Sequence, residues 1–112
     1  MLFRSHPELF GNVLSQSGAF WRGNEGTSEP GEWLTDQFRQ AAPLPVRFYL
    51  EVGGEETSPV ANGVVFIQAV RNFRDVLRAK GYAMRYAEVQ GGRHEVAHWR
   101  AALAAGIEYL SQ

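Results

Sequence analysis

From Ala61 to Lys80, the apolar residues Phe66, Ala69, Val70, Phe73, Val76 and Leu77 recur at spacings of three and four with Arg and Asp between them, and Gly81 closes the run. This period predicts an amphipathic helix ended by glycine. Glu32 to Ala42 carries Trp33, Leu34, Phe38 and Ala41 at helical spacing and stops at the Pro43 and Pro45 pair, which predicts a second, shorter helix. Val96 to Leu110 is Ala-rich, with Trp99, Leu103, Ile107 and Leu110 along one side, and predicts a third. Between these lie runs of a different character. NVLSQS at 12–17, VRFYLEV at 46–52 and Tyr82 to Val89 are short, apolar, β-branched or alternating, and read as strands. Gly23 to Gly31 is turn-rich, GGEETSP after the second strand is a loop by composition, and Gly91-Gly92 breaks the third strand.

Three strands alternating with helices imply an α/β chain with a parallel sheet and right-handed crossovers, because parallel neighbours need long connections and helices must cover the faces. In such sheets functional residues gather in loops at the carboxyl ends of strands. Ser15, Ser17 and the Gly18 to Trp21 segment follow the first strand, Glu55 and Glu56 the second, and His94 the third. A hydroxyl, a carboxylate and an imidazole thus reach one rim in the chain order of α/β hydrolases. The 112-residue length fits a single domain, and a net charge of −1 offers no electrostatic footprint for nucleic acid. The absence of Cys removes disulfides and thiolate metal sites and fits a reducing compartment, with the cytoplasm as the expected location. The N-terminal stretch does not read as a signal peptide, and no run approaches the roughly 18 apolar residues of a membrane span.

The segment GGRHEVAHWR at 91–100 contains HExxH in His94, Glu95 and His98, the spelling of a zinc-protease helix. That chemistry needs helix through both histidines and a third ligand from downstream. Gly91 and Gly92 place His94 at a loop or first turn, and Glu108 is the sole acidic or His residue after His98. The expectation is therefore no metal and no other cofactor.

HPELFGNVLSQSGAFW, FYLEVGGEE, the amphipathic helix and YAEVQGGRHEVAHWRAALAAGIEYL together resemble the C-terminal part of the enterochelin (ferric enterobactin) esterase family. The resemblance implies an α/β-hydrolase fold, of which residues 1–112 would be a single partial domain with a truncated sheet. It implies a serine esterase that cleaves a catecholate siderophore so that its iron is released, with a ferric siderophore or a related small-molecule ester as substrate. On this mapping His94 is the catalytic histidine, Trp99 and Arg100 form the family's recurrent Trp-Arg pair, and His98 has no catalytic role. The acid maps best to Glu56, with Glu55 next. Phe20, Trp21 and Arg22 would stack on catechol rings and meet the anionic ferric complex.

The sequence departs from the family in one respect. No GxSxG elbow occurs, GTSEP at 26–30 being the nearest approach. The oxyanion hole, worth roughly 3–4 kcal/mol of barrier per donor, depends on the same missing turn. The expectation is a C-terminal fragment inactive by itself, the alternative being a non-catalytic hydrolase module that self-associates. Ser15 and Ser17 lack elbow glycines and read as strand-end hydrogen-bonders; without the resemblance Glu55 and Glu56 read as solvated loop charges and His94 as a helix cap. Trp21 and Trp99 suit core packing as well as substrate contact, and Arg4 and His6 need no role beyond solubility. Loss of the neighbouring nucleophile strand would leave the first strand at an exposed edge, through which the chain is expected to form a homo-oligomer, a dimer in the simplest case, or to aggregate.

Overall fold

The computed structural model describes residues 2–22, 32–61 and 63–112. The turn-rich stretch expected from Gly23 to Gly31, GTSEP included, lies outside them. The elements are α1 (Leu2–Ser5), β1 (Asn12–Gln16), α2 (Trp33–Gln40), β2 (Arg47–Gly53), β3 (Pro59–Ala61), β4 (Val64–Val65), α3 (Phe66–Ala79), β5 (Met84–Val89) and α4 (Val96–Leu110). The main sheet has the order β1-β2-β5 with both pairings parallel, aligning Val13 with Phe48 and Phe48 with Met84. This is the α/β architecture that the alternation of periods predicts.

The two-residue alternation of β2 divides the interior into two layers. Phe48, Leu50 and Val52 face one way into a cluster with Phe38 of α2 and Val70, Phe73 and Leu77 of α3. Aromatic edges lock this layer: Phe38 and Phe48 each meet Phe73 in T-shaped contact at 5.3 and 5.9 Å. Complete burial of Phe48, Phe73 and Leu77 stabilises the fold by about 1.5–3 kcal/mol per side chain. Tyr49 and Glu51, one step out of phase, face α4. That helix approaches so closely that a Cβ on Gly106 would lie 2.7 Å from Leu14 and 2.9 Å from Tyr49.

The two longer-range helix starts are capped by the fold rather than by their own sequence. Leu34 N–H donates to the Phe20 carbonyl at 3.1 Å and Trp33 N–H to that of Trp21 at 3.2 Å. Phe66 and Ile67 N–H donate to the Ser58 and Glu56 carbonyls at 2.8 and 2.9 Å. These bonds satisfy amides that no earlier helical carbonyl reaches. They also correct the expected helix start at Ala61. Pro59–Ala61 and Val64–Val65 pair as a small antiparallel hairpin, so α3 begins only at Phe66. Arg4, to which no role was assigned, fastens α1 to α2 by donating to Gln37 Oε1 at 2.8 Å while lying over the Trp33 ring.

Arg71 of α3 and Glu88 of β5 tie the outer strand to its helix through two 2.7 Å hydrogen bonds, and Arg74 stacks over Tyr86. The bonds from Arg71, joined by one from the Tyr86 hydroxyl, hold the Glu88 carboxyl down to about 2. Burial, followed by the bond to Glu88, pushes the Tyr86 phenol up. Because the folded value of Glu88 is depressed, its contribution is present above the ordinary carboxylate range and is lost as pH falls toward 2. Solvent screening limits it to about 0.5 kcal/mol. Glu88→Gln is expected to lower the melting temperature by about 2–4 °C at pH 7 and to match the parent near pH 2; calorimetry across that range checks both the size and the sign.

Candidate active site

β2 ends in Gly53, and the chain then turns sharply. A Cβ on Gly53 would overlap the Gly92 carbonyl, and one on Gly92 would overlap the His98 ring. Only glycine at both positions lets the loop after β2 and the loop after β5 touch. The contact is sealed by Glu55 N–H donating to the Gly92 carbonyl at 2.9 Å, and by Gly54 N–H donating to that of Val89 at 2.8 Å. Glu56 and His94, 38 positions apart in the chain, are thereby brought side by side.

Glu56 is buried, and three donors surround its carboxyl group. Ser17 Oγ donates to Oε2 at 2.7 Å, Gly53 N–H donates to Oε2 at 2.6 Å, and His94 Nδ1 lies 2.7 Å from Oε1. A carboxylate only accepts, so the neutral imidazole carries its proton on Nδ1 and presents a basic Nε2. The His94 side chain is 56% exposed, so the ring can be reached from solvent. The ring is held between Trp99, edge-on at 4.8 Å, and Phe66 at 5.1 Å. Glu55, Glu56, Ser58, Phe66, Arg93 and His94 line a cavity of about 480 Å³. Glu55, the other acid considered, is exposed.

HExxH does not act as one unit. His94 lies in the bend before α4, Glu95 takes the extended N-cap conformation (φ −154°, ψ 155°), and His98 is on the inner face of the helix. The two imidazoles address different carboxylates, His94 that of Glu56 and His98 that of Glu51. The Glu51–His98 pair was not foreseen. Both side chains are almost fully buried, and Gln16 Nε2 donates to Glu51 Oε2 at 2.9 Å and to the Trp99 carbonyl at 2.7 Å. A signal for it existed: an acid in the middle of the apolar run VRFYLEV needs a partner wherever it is buried.

Of the aromatic and cationic residues assigned to substrate, Phe20 is 4% exposed and stacks on Phe73 at 3.9 Å, within the core cluster. Trp21 is half-buried against Phe66, edge-on at 4.8 Å, one ring away from His94. Arg22 is exposed. Trp99 joins packing and polarity, its Nε1–H donating to Ser17 Oγ at 2.9 Å. Ser17 is a strand-end hydrogen-bonder; it has φ 54°, in the left-handed region.

A parallel sheet with an acid–histidine pair at the carboxyl ends of its strands defines the chain as an α/β-hydrolase segment. It belongs to the Esterase family ("Putative esterase"), whose model matches residues 1–110. It is 36% identical over 114 residues to the iron(III) salmochelin esterase of Escherichia coli O6:H1 (strain CFT073), covering 96% of this chain and 26% of that protein. It is 30% identical over 115 residues to the iron(III) enterobactin esterase of Dickeya dadantii (strain 3937), covering 93% and 24%. The chain thus spans about a quarter of the length of these relatives. No solved structure matches it.

Gly53→Ala is expected to part the two loops, because backbone on backbone leaves no side chain to yield, and to destabilise the chain by about 1–3 kcal/mol. Denaturant unfolding checks the loss, and loss of the His94 to Glu56 contact by NMR checks that it occurs at the site.

Proposed function

We propose that this chain is the acid-and-base portion of a serine esterase acting on ferric catecholate siderophores or related esters. The observation that carries the reading is the buried Glu56 carboxylate on Nδ1 of an exposed His94 ring that lines the cavity. In this role His94 Nε2 takes the proton of an attacking serine hydroxyl and returns it to the leaving alkoxide. Glu56 holds the tautomer and stabilises the imidazolium that forms between these two transfers. Trp21 and Arg22 are the residues we assign to an aromatic, anionic substrate, by stacking and by charge. The names of both relatives, which specify iron(III) siderophore esters, support the same substrate class.

The nucleophile and oxyanion hole belong, in this reading, to a segment outside these 112 residues, and the isolated chain does not hydrolyse esters. No described helix is long and apolar enough to cross a membrane, and with no Cys we place the reaction in a reducing compartment such as the cytoplasm. The test is a chimera in which residues 1–110 replace the matching segment of the Dickeya dadantii enzyme. Ester hydrolysis is expected to persist. His94→Ala in the chimera is expected to lower kcat by about 10⁴ or more, and Glu56→Gln by about 10²–10⁴. A folded, active chimera indifferent to His94→Ala would overturn the assignment.

The edge of the sheet favours self-association of the isolated chain. β1 pairs with β2 on one side only among the described residues, and Val96, Leu103 and Ile107 of α4 are exposed nearby in the same chain. Sedimentation velocity is expected to show a dimer or larger species; a clean monomer across the micromolar range counts against it.

A further inference from the structure

We propose that Ser17 is a positioning residue: its hydroxyl, aimed by the Trp99 indole, locks the Glu56 carboxylate in the orientation that fixes His94. The inference rests on the reading of His94 as a general base, and it assigns a duty to a serine that is not the nucleophile.

A serine hydroxyl has one hydrogen and a free rotor, so an isolated Ser–Glu contact does not specify which atom donates. Here the ambiguity is removed. Indole N–H is a donor only, and Trp99 Nε1 reaches Ser17 Oγ at 2.9 Å. Ser17 must accept from Trp99, which leaves its own hydrogen for Glu56 Oε2 at 2.7 Å. That oxygen also takes Gly53 N–H at 2.6 Å. With Oε2 held by two donors, the carboxylate cannot rotate about its last bond, and Oε1 stays on His94 Nδ1. Trp99 acts at both ends of this chain, since the same indole stands edge-on against the His94 ring.

The backbone is consistent with a side chain placed for a purpose. Ser17 is 7% exposed and has φ 54°, a region that residues other than Gly enter at a cost. Its N–H still donates to the Glu51 carbonyl at 2.8 Å. The strand therefore holds register through Ser17 while the left-handed turn directs Oγ to the acid. Filling space alone would not require this conformation, because a glycine would adopt it without the steric cost.

The experiment uses the 112-residue chain labelled with ¹⁵N and reads the His94 ring directly, without any need for catalysis. The parent is expected to show the Nδ1–H tautomer and a protected, downfield Nδ1 proton. Ser17→Gly accepts the positive φ and removes the small hydroxymethyl side chain; it is expected to lose the downfield proton and to mix the two tautomers. Trp99→Phe keeps a ring beside His94 but frees the hydroxyl rotor, and is expected to speed exchange of that proton roughly tenfold, as for one lost hydrogen bond. Ser15→Ala is the control and leaves the signal unchanged. A parent-like His94 signal in folded Ser17→Gly overturns the proposal. If that variant does not fold, Trp99→Phe decides: faster exchange supports the lock and an unchanged rate overturns it. An inactive chimera with this signature intact would defeat the esterase reading alone, and an active chimera without it would defeat the positioning role alone.

Discussion

The carboxylate of Glu56 is the point on which this structure turns. A buried, charged oxygen pair is tolerated only where donors replace the water it has lost, and the three donors here come from three separate elements. Ser17 follows β1, Gly53 ends β2, and His94 precedes α4. Satisfying one acid therefore requires the carboxyl ends of two strands and the start of a helix to meet in a fixed arrangement. The same requirement explains the glycines at 53 and 92, which allow the loops to touch. It also accounts for the Glu56 carbonyl, which accepts from the first turn of α3 and so anchors the acid's backbone as its side chain anchors the histidine.

Behind this pair lies a second one with the same chemical constituents and different surroundings. Glu51 and His98 are both almost fully buried, with Gln16 supplying a further donor, and little of the imidazole reaches solvent. His94 is more than half exposed on its side chain. Environment alone separates an imidazole that is available for proton transfer from one that joins a helix to a sheet. A buried pair of this kind contributes more to register than to net stability, because desolvation offsets much of the attraction. It holds α4 at the height that places His94, four residues earlier in the chain, beside Glu56.

The main elements were legible because their periods are strong: the three helices and three strands of the α/β layer follow from spacings of three and four and from short β-branched runs. What was hidden shares one physical origin. α2 and α3 start on carbonyls borrowed from Phe20, Trp21, Glu56 and Ser58, and no side-chain cap marks either start in the sequence. The hairpin of Pro59–Ala61 with Val64–Val65 was accordingly absorbed into the helical pattern. Residue type likewise does not say which way a ring points, so the packing of Phe20 on Phe73, beside half-buried Trp21, was not legible. At the site, His94 and the choice of Glu56 ahead of Glu55 came from family resemblance. The residues alone left both open, since the burial and the donors that distinguish Glu56 are supplied by distant segments.

The sparse anchoring of α4 has a consequence for motion. Only His98 and Gly106 of its fifteen residues are buried, and its outward side carries Val96, Leu103 and Ile107. The helix is a natural unit of local opening, detaching at lower free energy than the aromatic layer on the other face of the sheet. Because Trp99 and the His94 bend travel with it, each excursion would dismantle the acid–imidazole pair while the core stays folded. Amide exchange in α4 would then register the lifetime of the assembled site, and any neighbour that covers this helix would lengthen that lifetime without touching the site itself.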